Sequence, residues 1–197
     1  MKSSDLFPLV VHRDYFHVPY PAQVQPTLDK RGIVEPIGND IYSMLIDASD
    51  GMIRGIHRED LETLSLTADT GKSQAIENLR KSVFSATELH RQLSMTESGL
   101  GHVVLMGSWL TASCILLPEL HNWASHHLKT KNILVSIPTR EFMFLFSVGD
   151  ASWRKHITEY IKRVVDGMDT HITFDLFFLD ESGWIAYPWP DDGELDD

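Results

Sequence analysis

The sequence contains little cysteine, few basic residues and no long hydrophobic run. Cys114 is the only cysteine among 197 residues, so an intrachain disulfide is impossible. This fits a reducing compartment, where disulfides are rare. The most apolar stretch, 103–120, is interrupted by glycine, serine and proline, whereas a spanning helix needs about 20 apolar residues. The N-terminal apolar run is shorter than the roughly 7–15 residues of a secretory signal. We therefore expect a cytoplasmic protein that is not embedded in a membrane.

Basic side chains are outnumbered, with 17 Lys and Arg against 28 Asp and Glu and a net charge of −11. Nucleic-acid backbones and anionic membranes are bound by clustered basic side chains, so we expect neither as a partner. Five of the acidic residues lie in 188–197, which holds no basic residue and is predicted to be a disordered acidic tail. Residues 1–187 carry 17 basic and 23 acidic side chains, so the acidity is partly a property of the tail.

Motifs that identify a catalytic or cofactor site are missing. The sequence has no G-x-S-x-G elbow, no phosphate-binding glycine loop and no H-E-x-x-H or C-x-x-C pattern, so no catalytic residue, metal or cofactor is predicted. His121, His126 and His127 are close in sequence, but the latter two lie about 140° and 240° around a helix from the first. They share no face on which to bind a metal. The apolar neighbours of Cys114 favour a buried thiol over a nucleophile.

Composition and periodicity predict an α+β fold, a single domain with a mixed or antiparallel sheet and helices packed mainly on one face. The single domain is predicted to span residues 1–187. Five prolines in 1–38 indicate that this part is an extended N-terminal arm. Residues 58–94 are helical in character, with Thr70 as a candidate N-cap, and apolar spacings of 3 and 4 predict the clearest helix over 152–166. Strands are predicted over 41–46, 102–106, 133–137 and 171–179, with hairpin partners at 52–56 and 184–187.

The most site-like segment is Pro138-Thr139-Arg140-Glu141, because it follows a buried strand and polar groups converge at strand ends. Arg140 has the geometry to bind a carboxylate or phosphate in a bidentate manner. We name Arg140, Glu141 and Ser113 as candidate ligand-binding residues. The alternative is a structural arginine, paired with Glu141 or another acid, that satisfies a turn.

Three aromatic residues lie within six positions beside the acidic tail: Trp184, Tyr187 and Trp189. Tryptophan and tyrosine are enriched at the energetic centres of protein interfaces. These three are therefore candidate partner-binding residues. The alternative is that they pack the C-terminal hairpin onto the core.

Three segments carry a family resemblance: HREDLETLSLTADTGKSQAIENL at 57–79, ASCILLP at 112–118 and ILVSIPTREFMFLF at 133–146. Together they resemble motifs of the bacterial YtpQ-type family, over about residues 40–180. The family has no established activity, so the resemblance implies a mixed α/β fold and transfers no catalytic residue. Arg140 and Ser113 occupy motif positions, and Glu141 stands where the family has aspartate.

Two classes of function follow. The first is a non-catalytic acidic protein-binding module, such as an immunity or inhibitor protein that neutralises a basic partner, since complementary charge accelerates association. The alternative is a bacterial enzyme of unrecognised type with a pocket around Arg140, Glu141, Ser113 and a histidine. The negative charge and the missing catalytic motifs favour the binding module.

Overall fold

A computed structural model describes residues 1–17, 32–38, 40–85, 90–97, 99–168 and 171–186. The chain divides into two compact units, residues 1–88 and 89–197. Each unit has its own antiparallel sheet with helices packed on it, so the predicted α+β class and the antiparallel alternative are confirmed. The sequence predicted one sheet, whereas the described residues form two. That residues 1–187 form a single domain stays a prediction. Within the described ranges, no helix combines the length and apolarity needed to cross a membrane.

The first unit is built on four strands: β1 (Leu6–His12), β2 (Val34–Gly38), β3 (Ile41–Asp47) and β4 (Arg54–Gly55). Strand β3 is central, with β1 on one side and β2 and β4 on the other. All seven residues of β1 pair with β3, so this part of the predicted arm is a sheet strand. Pro8 fits because β1 lies at the edge of the sheet, where a missing N–H is tolerated.

Helices α1 (Arg58–Thr63) and α2 (Ala68–Leu79) cover this sheet, and a π-helical turn, Arg80–Phe84, follows α2. The N-cap of α2 is Thr67, not the predicted Thr70. The Thr67 Oγ1 accepts the backbone N–H of Thr70 at 3.2 Å, and the Thr70 Oγ1 accepts that of Thr67 at 2.8 Å. Thr70 is therefore the reciprocal partner in a capping box, three residues inside the cap.

The second unit contains a six-stranded antiparallel sheet in the order β10-β9-β7-β8-β6-β5. Its strands are β5 (His90–Met95), β6 (Gly101–Met106), β7 (Ile133–Thr139), β8 (Phe142–Ser147), β9 (Phe177–Asp180) and β10 (Gly183–Ala186). The helical elements are a 3-10 segment (Thr111–Leu116), α3 (Leu120–Leu128) and α4 (Ala151–Val164). The structure confirms the predicted strands at 102–106 and 133–137, the helix at 152–166 and the described part of the hairpin strand at 184–187. The strand predicted over 171–179 is limited to β9, at the C-terminal end of that range.

Both faces of the central strands are buried. One face packs against α4 in a core cluster that includes Val104, Leu134, Phe144, Phe146, Ile157 and Ile161. Because side chains alternate along a strand, Val103, Leu105, Met143 and Leu145 point to the opposite face, and each is at most 1% exposed. Helix α3 contacts β6, β7 and β8, and the 3-10 segment contacts β8. In this unit α3, α4 and the 3-10 segment therefore all pack on the sheet.

Candidate functional site

Arg140 and Glu141 form the two-residue turn between β7 and β8, since Thr139 pairs with Phe142 across it. Both turn residues are half-buried. The carbonyl oxygen of Arg140 accepts the backbone N–H of Ala112 at 3.0 Å. This bond brings the turn against the 3-10 segment that contains Ser113. The structure therefore places the three predicted ligand-binding residues in one region of the second unit.

Ser113 is 1% exposed, and its backbone N–H donates to the carbonyl of Leu110 at 3.0 Å. A side chain so buried is poorly placed to contact a ligand at the surface. The two clefts described below are lined by other residues. The role of Arg140, Glu141 and Ser113 in ligand binding stays a prediction.

Of the three predicted partner-binding aromatics, Trp184 lies in β10, while Tyr187 and Trp189 fall outside the described residues. The Trp184 ring is half-buried and meets the ring of Phe177 edge-on, with centroids 4.9 Å apart. Phe177 is fully buried. The indole thus contacts the core, and Trp184 also lines a cleft.

Two clefts flank the turn between β9 and β10. The Trp184 cleft has a volume of about 250 Å³ and is bounded by residues 115–118, His121 and hairpin residues 179–184. The Lys131 cleft, of about 380 Å³, is lined by Lys131, Asn132 and Phe178 and by residues common to both clefts. The shared residues are His121, Asp180, Glu181 and Ser182.

His121, in the first turn of α3, is 3% exposed although it lines both clefts. Its Nε2 lies 3.0 Å from the carbonyl oxygen of Lys131. A carbonyl only accepts, so Nε2 carries the proton and donates it. The other ring nitrogen, Nδ1, is then an acceptor, and it is buried with no hydrogen-bond partner among the described residues. A buried acceptor without a donor is costly, and it belongs to a residue that lines both clefts.

Two carboxylates border the clefts. Hydrogen bonds from the hydroxyl and backbone N–H of Ser182, at 2.6 and 2.7 Å, lower the pKa of Asp180. The Lys131 ammonium, 3.0 Å from Glu181, lowers the pKa of that carboxyl. Both groups are therefore ionised at neutral pH. The Lys131–Glu181 pair is exposed, at 80% and 67% of the two side chains, and such pairs contribute little and exchange readily.

The Trp184 cleft thus combines an apolar wall, an aromatic ring, two carboxylates and a histidine with a buried acceptor nitrogen. The wall is the segment Ile115 to Pro118. An aliphatic stem with a cationic head matches this arrangement, because long basic side chains bury their methylenes and keep the charge near acids or aromatic rings.

Other candidates are less suited to chemistry. Cys114 is fully buried, and burial raises its pKa to about 12, so the thiolate needed for nucleophilic attack does not form near neutrality. The Nδ1 of His127 contacts the Trp123 carbonyl at 2.8 Å. In the part of the chain that the structure describes, no three His, Cys, Asp or Glu side chains are grouped to hold a metal ion.

The sequence indicated Trp184 and the turn at 181–183, but not His121, Asp180 or Lys131 as members of a binding cleft. His121 was considered only as a metal ligand. The feature that could have identified His121 is its position beside Leu120, on a helix in which Leu120, Ala124 and Leu128 are buried. The pairing of that helix with the distant β9–β10 turn depends on the tertiary fold.

Comparisons of the chain with protein-family models, curated proteins and solved structures find no match. The resemblance to the YtpQ-type family stays a prediction from the motifs at 57–79, 112–118 and 133–146.

Proposed function

We propose that this chain is a non-catalytic acidic protein-binding module that binds a basic protein at the Trp184 cleft, as an immunity or inhibitor protein does. The observation that carries the proposal is the placement of two ionised carboxylates, Asp180 and Glu181, beside a half-buried tryptophan and an apolar wall. Tryptophan is enriched at the energetic centres of interfaces, and carboxylates beside it complement the basic side chains of a partner.

The net charge of the molecule supports this proposal. With 28 acidic and 17 basic side chains, its field attracts a cationic protein from a distance and accelerates encounter. Such attraction weakens as salt shortens the screening length from about 10 Å at 0.1 M. Binding is therefore expected to depend on salt, while the contact with Trp184 and the apolar wall persists.

A capture experiment tests the function. The immobilised chain is compared with the double variant Asp180→Asn/Glu181→Gln, in which asparagine retains an oxygen to accept the Ser182 bonds. A matched variant, Asp166→Asn/Glu159→Gln, removes the same charge from exposed positions of the same unit. We expect a basic protein to bind the wild type and the matched variant at low salt, and to bind the cleft variant at least tenfold more weakly.

Two results would contradict the proposal. Equal retention by the cleft and matched variants would show that general charge, and not the cleft, holds the partner. Capture of no basic protein, together with stabilisation of the chain by small molecules in a thermal-shift screen, would favour the enzyme alternative.

A further inference from the structure

The buried nitrogen of His121 narrows the chemistry of the cation that enters the Trp184 cleft. Its Nε2 proton is committed to the Lys131 carbonyl, so Nδ1 requires a donor from elsewhere, and the described residues offer none. The carboxylates of Asp180 and Glu181 line the same cleft. A ligand that satisfies the whole cleft must donate to a ring nitrogen and to a carboxylate together.

We propose that the Trp184 cleft is an arginine-specific pocket, in which a guanidinium of the basic partner donates to His121 Nδ1 and to the Asp180 or Glu181 carboxylate. The inference rests on the proposed function and adds the identity of the recognised side chain. The observations that carry it are the orphaned buried acceptor, the carboxylates and the aromatic ring in one cleft.

Arginine fits this set of acceptors better than lysine does. A guanidinium presents five N–H donors in a planar fork, so two acceptors in different directions are served at once, and its plane stacks on an aromatic ring. A lysine ammonium is a compact and strongly hydrated charge. Placing the ammonium against the apolar wall and the buried imidazole removes more hydration than placing a guanidinium there, and it forms fewer directed hydrogen bonds.

The size of the cleft favours one side chain over a whole small molecule. Its volume of about 250 Å³ falls below the roughly 300–1,000 Å³ typical of pockets for drug-sized ligands. The apolar stretch Ile115 to Pro118 supplies a surface for the three methylenes of an arginine stem. We therefore assign the source of the guanidinium to an arginine within a protein, not to free arginine.

The test is an NMR titration of the full chain with four probes. These are a blocked tripeptide with a central arginine, the same peptide with lysine, the same peptide with citrulline, and free L-arginine. We expect the arginine peptide to shift the amide signals of residues 179–184 and the Trp184 indole. We expect the lysine peptide to bind about tenfold more weakly. That factor corresponds to the loss of one hydrogen bond between a charged and a polar group.

The variant His121→Gln isolates the acceptor nitrogen. Glutamine carries an amide N–H at the reach of Nε2, so the bond to Lys131 is retained while the Nδ1 acceptor is lost. Ser125→Ala is the control, because the Ser125 hydroxyl lies 3.4 Å from Nε2 and on no cleft wall. We expect His121→Gln to weaken the arginine peptide about tenfold and to leave the lysine peptide unchanged, and Ser125→Ala to affect neither.

A measurement on the wild type keeps the test valid if His121→Gln fails to fold. Long-range nitrogen–proton spectra identify which ring nitrogen of His121 is protonated. The proposal expects a proton on Nε2 in the free chain, and a shift of the unprotonated Nδ1 signal when the arginine peptide binds. A proton on Nδ1 in the free chain would overturn it.

The remaining outcomes separate this inference from the proposed function. Equal affinity for the arginine and lysine peptides, or no binding of the arginine peptide, overturns the arginine pocket. The capture of a basic protein through the Asp180 and Glu181 cleft can still succeed in either case. Free arginine that binds as tightly as the peptide overturns the assignment to a protein side chain.

Discussion

His102 is the residue whose environment has the clearest consequence for pH. It lies in β6, its ring centroid is 5.1 Å from that of Tyr160 in α4, and its Nδ1 is buried with no hydrogen-bond partner in the described segments. Burial lowers the pKa of His102, and the positive charge of His156 lowers it further. The folded chain therefore resists protonation of this imidazole more than the unfolded chain does.

We predict that His102 makes the protein less stable in mild acid. The unfolded chain binds the proton first, near the ordinary histidine pKa of about 6.5, so stability is complete above that pH. It then falls as pH drops toward the lowered folded pKa, by at most about 1.4 kcal/mol per pH unit for one proton. Denaturant unfolding between pH 7.5 and 5 measures the slope, and His102→Gln should flatten it.

The control for this prediction is His126→Gln, which makes the same change at an exposed position of α3. A slope that is equally steep in wild type and His102→Gln would assign the acid sensitivity to other groups. A slope flattened only by His126→Gln would contradict the burial argument directly.

The difference between the predicted and the observed candidate site also arises at the scale of residues. Trp184 was identified from the sequence because tryptophan is enriched at protein interfaces. His121 and Asp180 indicate a binding cleft only when they lie side by side. The sequence does not show this, because α3 and the β9–β10 turn are far apart along the chain. The Arg140 and Ser113 neighbourhood was brought together by one backbone bond between Ala112 and Arg140, which no local pattern encodes.

At the scale of elements, the two longest helices among the described residues begin with side-chain caps of the same type. The Thr67 hydroxyl accepts the N–H of Thr70 at the start of α2, and the Asp150 Oδ1 accepts the N–H of Trp153 at 2.8 Å at the start of α4. Each cap satisfies an N–H that the helix itself leaves without a partner. The two helices belong to different units.

We predict that Thr67→Ala and Asp150→Ala each lower the free energy of unfolding by about 1 kcal/mol, the typical value of an N-cap. Hydrogen exchange should locate the loss, with faster exchange in α2 for the first variant and in α4 for the second. Thr67→Ser and Asp150→Ser retain a capping oxygen and should recover most of the stability. Serine variants as unstable as the alanine variants would show that the cap bond is not the cause.

Elements with strong periodicity were predicted correctly, whereas strand β5, whose conformation is fixed by pairing, was not. The 3-and-4 spacing in α4 and the apolar runs of β6 and β7 reflect burial along one element. Residues 58–94 were predicted to be helical, but 90–95 form strand β5, whose sequence, HRQLSM, contains no β-branched residue and no Phe, Tyr or Trp. Its pairing with all six residues of β6 decides its conformation. Tertiary pairing overrides a weak local propensity.

At the scale of the whole molecule, Cys114 reports on the second unit. It is the only thiol in the chain, it is fully buried in the 3-10 segment, and its pKa is raised to about 12 by burial. Alkylation requires an exposed thiolate. Labelling of the native protein therefore proceeds only through openings that expose Cys114, at a rate that follows the population of the open state when reclosing is fast.

This thiol tests whether residues 1–187 form a single domain, as the length predicts. Thr67 lies in the first unit, and Asp150 and Cys114 lie in the second. If one cooperative transition exposes Cys114, then Thr67→Ala and Asp150→Ala must accelerate its alkylation equally, by about fivefold for a loss of about 1 kcal/mol. Thr67→Ser is the control, and it should label at a rate much closer to that of the wild type than Thr67→Ala does. Acceleration by Asp150→Ala alone would contradict the single domain, because the second unit would then open without the first.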